Sequence, residues 1–428
     1  MNKLTNVLLY PSGSLVAQEI YDSLKYIRNI KIYGTDFDKT NFSFFYMENY
    51  IEGCPFIRDE ENAIKFLKKI IEENNIQVIF PCFDSALLLL KKFEDYLNVN
   101  VIAPDLDVIK ICNSKLETYN LLKEHINTPK MYKNTDLNLS FPVYSKPIIG
   151  YGSRDHKIIY NINDLKNVNT ENNLILEYLS GEEFTIDCFS NFKGELLYFQ
   201  PRKRIKTSNG MCILGKTVDI NVSQFAETIN KTLKMCGAWF FQVKFNDNNE
   251  LKLLEIACRI PGAMCINRVR GINFPYLSIL NSQQIDVNPI LYNNIEIMCH
   301  KVYTNKYYNT FLYNEVFCDL DDTLIINDKI NCQLISFLYS CLNKNIKINL
   351  ITRNKFPQEI LDKYRINIFD KIIKISDIKI SGNYEEKKSN FIHNLNAIFI
   401  DDSFVERQDV KNKCDILCFS PSEIEMLL

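Results

Sequence analysis

Histidine is scarce in this chain. His125, His156, His300 and His393 are the only four, and no two stand at ligand spacing. A histidine-bound zinc or iron centre is not expected from such a set. No C-x-x-C occurs among the 14 cysteines. Cys188, Cys236 and Cys318 sit in apolar runs, where a free thiol behaves as a small hydrophobe. Free thiols point to a reducing cytoplasm. An excess of charge is missing too. The net charge is −2, so no polyanion is indicated and nucleic acid is not an expected partner. No stretch approaches the ~18 apolar residues of a membrane span. The apolar run within MNKLTNVLLYPSGS is too short for a signal peptide. There is no internal repeat and no low-complexity tail.

What is present is an ordinary soluble composition: 428 residues, 46% hydrophobic and 24% charged. That length suggests roughly two to four domains. Residues 5–10 read as a strand, PSGS as a turn, and about 15–26 as an amphipathic helix. KIYGTDFD (31–38), IQVIFPCFD (76–84) and NVNVIAP (98–104) read as further strands, with a helix over 59–75. This alternation predicts a parallel, doubly wound sheet over roughly 1–110. Residues 114–126 form a predicted helix. From 140 to about 300 the pattern is strand-rich, with a helix near 221–236 and a hairpin of WFFQVKF and LKLLEIA around NDNN. YTNKYYNTFLYN (303–314) has no clear period and reads as a linker. Strand and helix alternate again beyond it.

FPVYSKPIIGYGSRD (141–155) places Lys146 on a strand and follows it with Gly150, Gly152 and Ser153. A strand-borne lysine meets phosphate oxygens as a point charge. Glycines let backbone N–H groups approach a phosphate. By themselves these residues read first as a plain hairpin turn. Their companions matter more. LILEYLSGEEFTID (174–187) sets Glu177 and Glu183 around a glycine. Gln242 and Glu255 lie on the two hairpin strands, which puts both oxygens on one face. Such oxygen donors, with nucleotide phosphates, are how Mg²⁺ is usually held. Arg259 follows, placed to neutralise transferring phosphate charge. Read singly, Lys115 is as easily a surface lysine, Glu177 and Glu183 solvated carboxylates, and Trp239, Phe240 and Phe241 core.

Over roughly residues 1–300 this order resembles the ATP-grasp family of carboxylate–amine ligases. The resemblance implies a Rossmann-like first domain (1–112) and two α+β lobes (113–302) that clamp ATP. Lys115 and Lys146 are similar to the two nucleotide-binding lysines, and GYGS to the mobile phosphate loop. Glu177, Tyr178 and Leu179 resemble the adenine hinge, Glu183 the ribose ligand, and Gln242 and Glu255 the metal ligands. PRKRIKTSNG (201–210) resembles the basic segment beside the acceptor site, so Arg202 and Arg204 are candidate substrate ligands, as is Arg268 after GAMCIN. One departure stands out. Where the family commonly reads E-x-N-P-R, this chain has Glu255-Ile256-Ala257-Cys258-Arg259, and Ala257 cannot ligate a metal. The implied activity is ligation through an acyl phosphate, using ATP and Mg²⁺. A closing loop then has a purpose, because an acyl phosphate is water-sensitive.

VFCDLDDTLI (316–325) ends an apolar run in Asp319 and Asp321. Charges there need a cation, hydrogen bonds or a chemical role. INLITRN ends a second strand in Thr352. EEKKSNFI supplies Lys388, preferred over Lys387. AIFIDDSFVER ends a third strand in Asp401 and Asp402. Over about 314–428 this set resembles the haloacid-dehalogenase (HAD) superfamily of aspartate-dependent phosphatases, with the domain itself at 315–428. The resemblance implies Asp319 as nucleophile and Asp321 as general acid and base. Thr352 and Lys388 would hold the transferring oxygens. Asp401 and Asp402, with Asp319 and Asp321, would complete a Mg²⁺ site. Asp322 reads as a solvated turn residue. Only about 28 residues separate the first motif from Thr352 and about 35 separate Thr352 from Lys388, too few for a large cap domain, so the expected fold is a cap-less Rossmannoid.

The fold expectation is therefore α/β multidomain: a Rossmann-like pre-ATP-grasp domain, α+β ATP-grasp lobes, a linker at 303–314 and the HAD-like domain. The functional expectation is a bifunctional cytoplasmic enzyme. It joins a small-molecule carboxylate to an amine, one of them phosphorylated, and removes the phosphate from substrate or product. Homodimers through the first domain are common in similar proteins, which leaves a homodimer open. Three other readings remain: independent sites, a front half that binds ATP as a regulatory module, and a nucleic-acid end-processing enzyme. Near-neutral charge and the lack of K-x-D-G around Lys146 argue against the last.

Overall fold

The computed structural model describes residues 4–428 except 134–138, 151–154, 209, 289, 303, 305, 306, 308, 309, 381, 382 and 385. The chain divides into two compact units, Met1–Tyr303 and Thr304–Leu428. No helix among the described residues is long and apolar enough to cross a membrane.

The first unit begins with β1 (Thr5–Tyr10), β2 (Ile30–Thr35), β3 (Tyr50–Ile51), β4 (Val78–Pro81) and β5 (Asn100–Val101). They form one parallel sheet in the order β3-β2-β1-β4-β5. β1 is central, and its last four residues are fully buried, as expected of a parallel strand covered on both faces. The helix Glu60–Glu73 shows how the covering is built. Ala63, Ile64, Leu67, Ile70 and Ile71 form its buried stripe, the 3.6-residue spacing of an amphipathic helix. Asp59 caps it by accepting from the Asn62 N–H, and Glu60 and Glu61 occupy its first turn, where acidic side chains favour the helix dipole. The sequence pattern did not show β3, whose two residues carry no period.

A four-stranded sheet follows, in the order β6-β9-β7-β8, from β6 (Met131–Tyr132), β7 (Val143–Pro147), β8 (Lys157–Ile159) and β9 (Asn173–Glu177). The six-stranded sheet comprises β10 (Glu183–Ser190), β11 (Leu196–Ser208), β12 (Met211–Thr217), β13 (Gly237–Phe245), β14 (Leu251–Ala257) and β15 (Met298–His300), in the order β14-β13-β10-β11-β12-β15. Its neighbouring strands all pair antiparallel. The expected boundary near residue 112 lies inside this unit. Leu87, Ile109 and Cys112 share a core with Phe184, Trp239 and Phe241. Val7, Leu9 and Phe80 share another with Phe189 and Phe274. Trp239 is wholly buried and donates its indole N–H to Ser190 Oγ at 2.9 Å, so it is core rather than a stacking platform.

The second unit holds β16 (Glu315–Cys318), the hairpin β17 (Ile325–Ile326) and β18 (Lys329–Ile330), β19 (Lys347–Thr352), β20 (Lys371–Lys374), the hairpin β21 (Lys379–Ile380) and β22 (Asn383–Tyr384), β23 (Ala397–Ile400) and β24 (Leu417–Phe419). Its main sheet is parallel, in the order β20-β19-β16-β23-β24. Phe311 and Tyr313 pack against its core, so the end of the expected linker belongs to this unit.

Candidate functional site

Two groups of polar side chains stand out, one in each unit. In the first unit, β13 and β14 face each other with Gln242 opposite Glu255, and the register then shifts so that Val243 opposes Leu253. The extra residue is Leu254. A bulge of this kind takes a carbonyl off the ladder. That carbonyl accepts from Tyr119 Oη at 2.7 Å and from Lys146 Nζ at 2.9 Å. Lys146 also donates to Tyr119 Oη at 2.6 Å. Burial pushes the Lys146 ammonium down to about 7, against the opposing pull of Glu255.

The helix Lys115–Leu122 brings a second buried lysine alongside. Lys115 Nζ donates to the Gly150 carbonyl at 2.6 Å, and burial lowers its pKa. Gly152 and Ser153 lie outside the described residues. Glu177 ends β9 with both oxygens engaged, by Asn246 Nδ2 at 3.0 Å and by the Lys130 N–H at 3.1 Å. Lys146, Glu177, Tyr178, Leu179, Glu183, Arg204, Gln242 and Glu255 line one cavity. Arg204 comes within 2.7 Å of Glu183 without hydrogen-bond alignment and donates to the Gly210 carbonyl at 2.7 Å. With its amide oriented to suit both neighbours, Gln242 accepts from Arg204 at 3.0 Å and donates to Glu255 at 3.3 Å. His156 lines the same cavity; burial pushes its imidazole down to about 4, so it is neutral at physiological pH.

Arg204, Gly210, Gln242 and Glu255 also border a larger cleft that reaches the first sheet, with Lys115, Gly150, Arg202 and Arg259 in its wall. Arg259 is held there by a carboxylate that the sequence reading missed. Its Nε and Nη2 donate to the two Asp84 oxygens at 2.8 and 2.9 Å, the two-pronged geometry that guanidinium suits. Asp84 starts the helix that follows β4. Arg202 is less free than a substrate ligand was expected to be. It is buried and doubly bonded to Asp187 at 2.8 and 3.2 Å, although its Nη1 has no partner. Arg268 lines neither cavity. It lies 3.6 Å from Glu19, which also takes Lys301 at 2.6 Å. Ala257 lies on the cleft wall and offers no ligand.

In the second unit Asp319 follows β16, the central strand, and its N–H donates to the Ile400 carbonyl. Lys388 Nζ lies 2.8 Å from Asp319 and 2.6 Å from Asp401. All three are buried. Burial raises the pKa of both carboxyls against the pull of Lys388. Asp319, Asp401 and Asp402 place one oxygen each within 4.8 Å of one another. That all-oxygen set fits a hard divalent cation. Asp402 is fixed by its N–H to Thr323 Oγ1 at 2.8 Å. Asp321 is outside that trio and accepts from Asn354 Nδ2 through both oxygens at 3.0 Å. Thr352 ends β19, fully buried, and its Oγ1 accepts from the Asn354 N–H at 3.1 Å. Asp322 takes a left-handed backbone, φ 55°. Asn354 was not anticipated, because nothing in TRN distinguishes it from a turn residue.

Residues 169–298 match a family model described as ATP-grasp in the biosynthetic pathway with Ter operon. No curated protein sequence matches the chain significantly. Among solved structures, a biotin carboxylase complex from Campylobacter jejuni is similar at TM-score 0.58 and 13% identity, over 69% of this chain and 74% of that one. An L-amino acid ligase from Bacillus licheniformis reaches 0.52 at 17% identity, over 66% and 75%. An N5-carboxyaminoimidazole synthetase from Staphylococcus aureus reaches 0.52 at 16%, over 67% and 80%. At these identities the likeness is one of fold: mixed α/β, with an ATP-grasp-like architecture.

Proposed function

We propose that the chain is a bifunctional enzyme whose front joins a carboxylate to an amine with ATP and whose rear removes a phosphate. The observation that carries the front half is the Leu254 bulge. It holds Lys146 beside the Gln242–Glu255 pair, so cation and oxygen donors converge in one cavity. The family match and the ATP-grasp-like fold support the same reading.

In this reading the adenine lies at Glu177, Tyr178 and Leu179, and the ribose hydroxyls on Glu183. Lys115, Lys146 and the loop Gly150 to Ser153 take the phosphates. Their negative charge answers the burial that depresses Lys146. Mg²⁺ on Gln242 and Glu255 would offset phosphate charge during transfer. Two protein donors suit an ion that keeps waters and phosphate oxygens as ligands, so Ala257 does not exclude it. Arg259, aimed by Asp84, stabilises charge on the substrate carboxylate as it becomes an acyl phosphate. The amine then attacks the acyl carbon, the C–O bond to the phosphoryl group breaks, and inorganic phosphate leaves. Arg202 and Arg204 stay substrate candidates only through donors left after their pairing, and Arg268 only from outside the cleft.

In the rear half Asp319 attacks phosphorus and expels the alcohol, which Asp321 protonates. Asp321 then takes a proton from the water that frees the aspartate. Lys388 and Thr352 hold the phosphoryl oxygens, and Asn354 orients Asp321. Mg²⁺ on Asp319, Asp401 and Asp402, with Asp321 near, would make the approach of two anions feasible. Covalent linkage alone gives the two sites an effective concentration for one another of about a millimolar. This fits an acid or amine that arrives as a phosphate ester. Cytoplasmic residence and self-association through the first domain belong to the same proposal.

Ala257 favours one rival, a front half that binds nucleotide for regulation. The test is ADP formation from Mg-ATP with pools of carboxylic acids and amines, beside a Lys146→Met variant. Expected is ADP that needs both pools and falls by about a hundredfold in the variant, as for loss of one charge-stabilising donor. ATP binding without turnover under every condition would leave the regulatory reading in its place.

A further inference from the structure

The acid cluster of the second unit has a rim whose side chains the phosphatase chemistry does not use. Two hydrogen bonds define it. On one side the Asn354 side chain donates to Asp321, while its Oδ1 accepts from the Phe356 N–H at 2.9 Å. On the other, Asp401 Oδ1 accepts from the Ser403 N–H at 2.7 Å, and Phe404 is the next residue. The strands that lead to these two loops, β19 and β23, flank β16 on either side. The rim therefore stands over the carboxyl ends of the three central strands, where parallel sheets hold ligands. Beside the exposed Lys355 and Asp402, three of its side chains are apolar and exposed: Phe356 at 63%, Phe404 at 66% and Val405 at 58%. Each has its backbone tied within a residue or two of a group bonded to the acids. Among the described residues between Thr323 and Lys388 there is no cap domain, so exposed rings on the loops that follow β19 and β23 are candidates to meet the body of a substrate.

The cleft of the first unit has a matching character. Phe83, Leu88, Ile149 and Met211 line it beside Lys115, Arg204, Glu255 and Arg259, and the four apolar side chains are exposed. If one molecule passes through both sites, it meets apolar side chains in each.

We propose that the phosphate removed by the second unit is carried on an apolar body, an aryl-alkyl or long alkyl phosphomonoester rather than a sugar phosphate. Phe356 and Phe404 grip that body and set specificity. The inference rests on the phosphatase reading above. No new bond chemistry is added: water still cleaves the ester to alcohol and inorganic phosphate.

The experiment compares 3-phenylpropyl phosphate with glycerol 1-phosphate. Both are primary alkyl esters and glycerol is the better leaving alcohol, so a preference for the phenylpropyl ester in kcat/KM reports binding of the body. The full chain with Mg²⁺ is assayed as wild type, Asp319→Asn, Phe356→Ala, Phe404→Ala and Phe404→Leu. The wild type should prefer the phenylpropyl ester by about tenfold or more, the factor that 1.4 kcal/mol supplies. Each alanine variant should shrink that ratio several-fold, and Phe404→Leu should restore most of it. Exposed positions of this kind leave the fold intact, which circular dichroism would verify. Asp319-dependent hydrolysis of both esters with no preference, or a preference untouched by the variants, would overturn this inference and leave the phosphatase reading standing. Hydrolysis of neither ester above the Asp319→Asn background would overturn both.

Discussion

The two units each contain a five-stranded parallel sheet with the same strand order, the first strand central and the third at an edge. What differs is the loop after the central strand. After β1 comes Pro11-Ser12-Gly13-Ser14, and its polar groups are taken up by neighbouring parts of the same domain. Asp36 accepts the Gly13 N–H at 2.6 Å, Ser12 and Ser43 share a hydrogen bond at 2.7 Å, and Ser14 caps the next helix. A Cβ on Gly13 would stand 2.7 Å from the Asn41 Cβ, so the turn is closed as well as satisfied. After β16 come Asp319 and Asp321, which converge with Lys388, Asn354 and a second acid pair. Topology fixes where a site can lie, and the residues at the strand ends decide whether one exists. The first sheet lends the cleft a wall and Asp84; the second sheet carries its own cluster.

The sharpest way to break this contrast is to exchange an acid in each crest. Asp319→Asn should lower phosphomonoester hydrolysis by about a thousandfold or more, as loss of a nucleophile does, with ADP formation by the front unaltered. Phosphate release and ADP release, measured separately, check this. A smaller effect is expected where the first sheet touches the cleft. Asp84→Ala should cut kcat/KM for ligation by on the order of tenfold, less than the hundredfold that misplacing a reacting group can cost, while ATP affinity holds in calorimetry. Asp36→Ala should act on stability alone. It leaves the half-buried Gly13 amide without its acceptor, a cost of about 1 kcal/mol, which lowers Tm but leaves both rates per folded molecule unchanged. A loss of activity there would mean the first crest is functional after all.

The finest effect concerns protons. Lys146 is held down to about 7 by burial, so it is charged below that pH and increasingly neutral above it. Phosphate charge favours the ammonium. ATP binding near pH 8 should therefore take up a fraction of a proton, falling toward zero near pH 6. Calorimetry in buffers of differing ionisation heat reads this directly, and Lys146→Met should abolish it.

Much of this architecture was legible because it is periodic or local. Apolar runs alternating with amphipathic helices marked both parallel sheets. Asp319, Thr352 and Asp401 could be placed because each closes or follows a strand, whereas Lys388 opens a short 3-10 turn and came only with the family resemblance. The hairpin spacing was enough to set Gln242 against Glu255. The partners were not legible. Asp84 meets Arg259 across 175 residues of chain, and Asp187 claims Arg202 from an adjacent strand. Long-range pairing leaves no period in a sequence. The boundary expected near residue 112 falls within the first compact unit. Leu87 and Ile109 share a core with Trp239 and Phe241, a contact that leaves no period in the sequence.

The most direct test of the whole account gives wild type and Asp319→Asn the same Mg-ATP and the same cytosolic small-molecule extract, then compares products by mass spectrometry. The account predicts that the variant accumulates an ATP-dependent condensation product one phosphate heavier than that of the wild type. Identical products from both proteins would contradict it, because the second unit would then have no part in the reaction of the first.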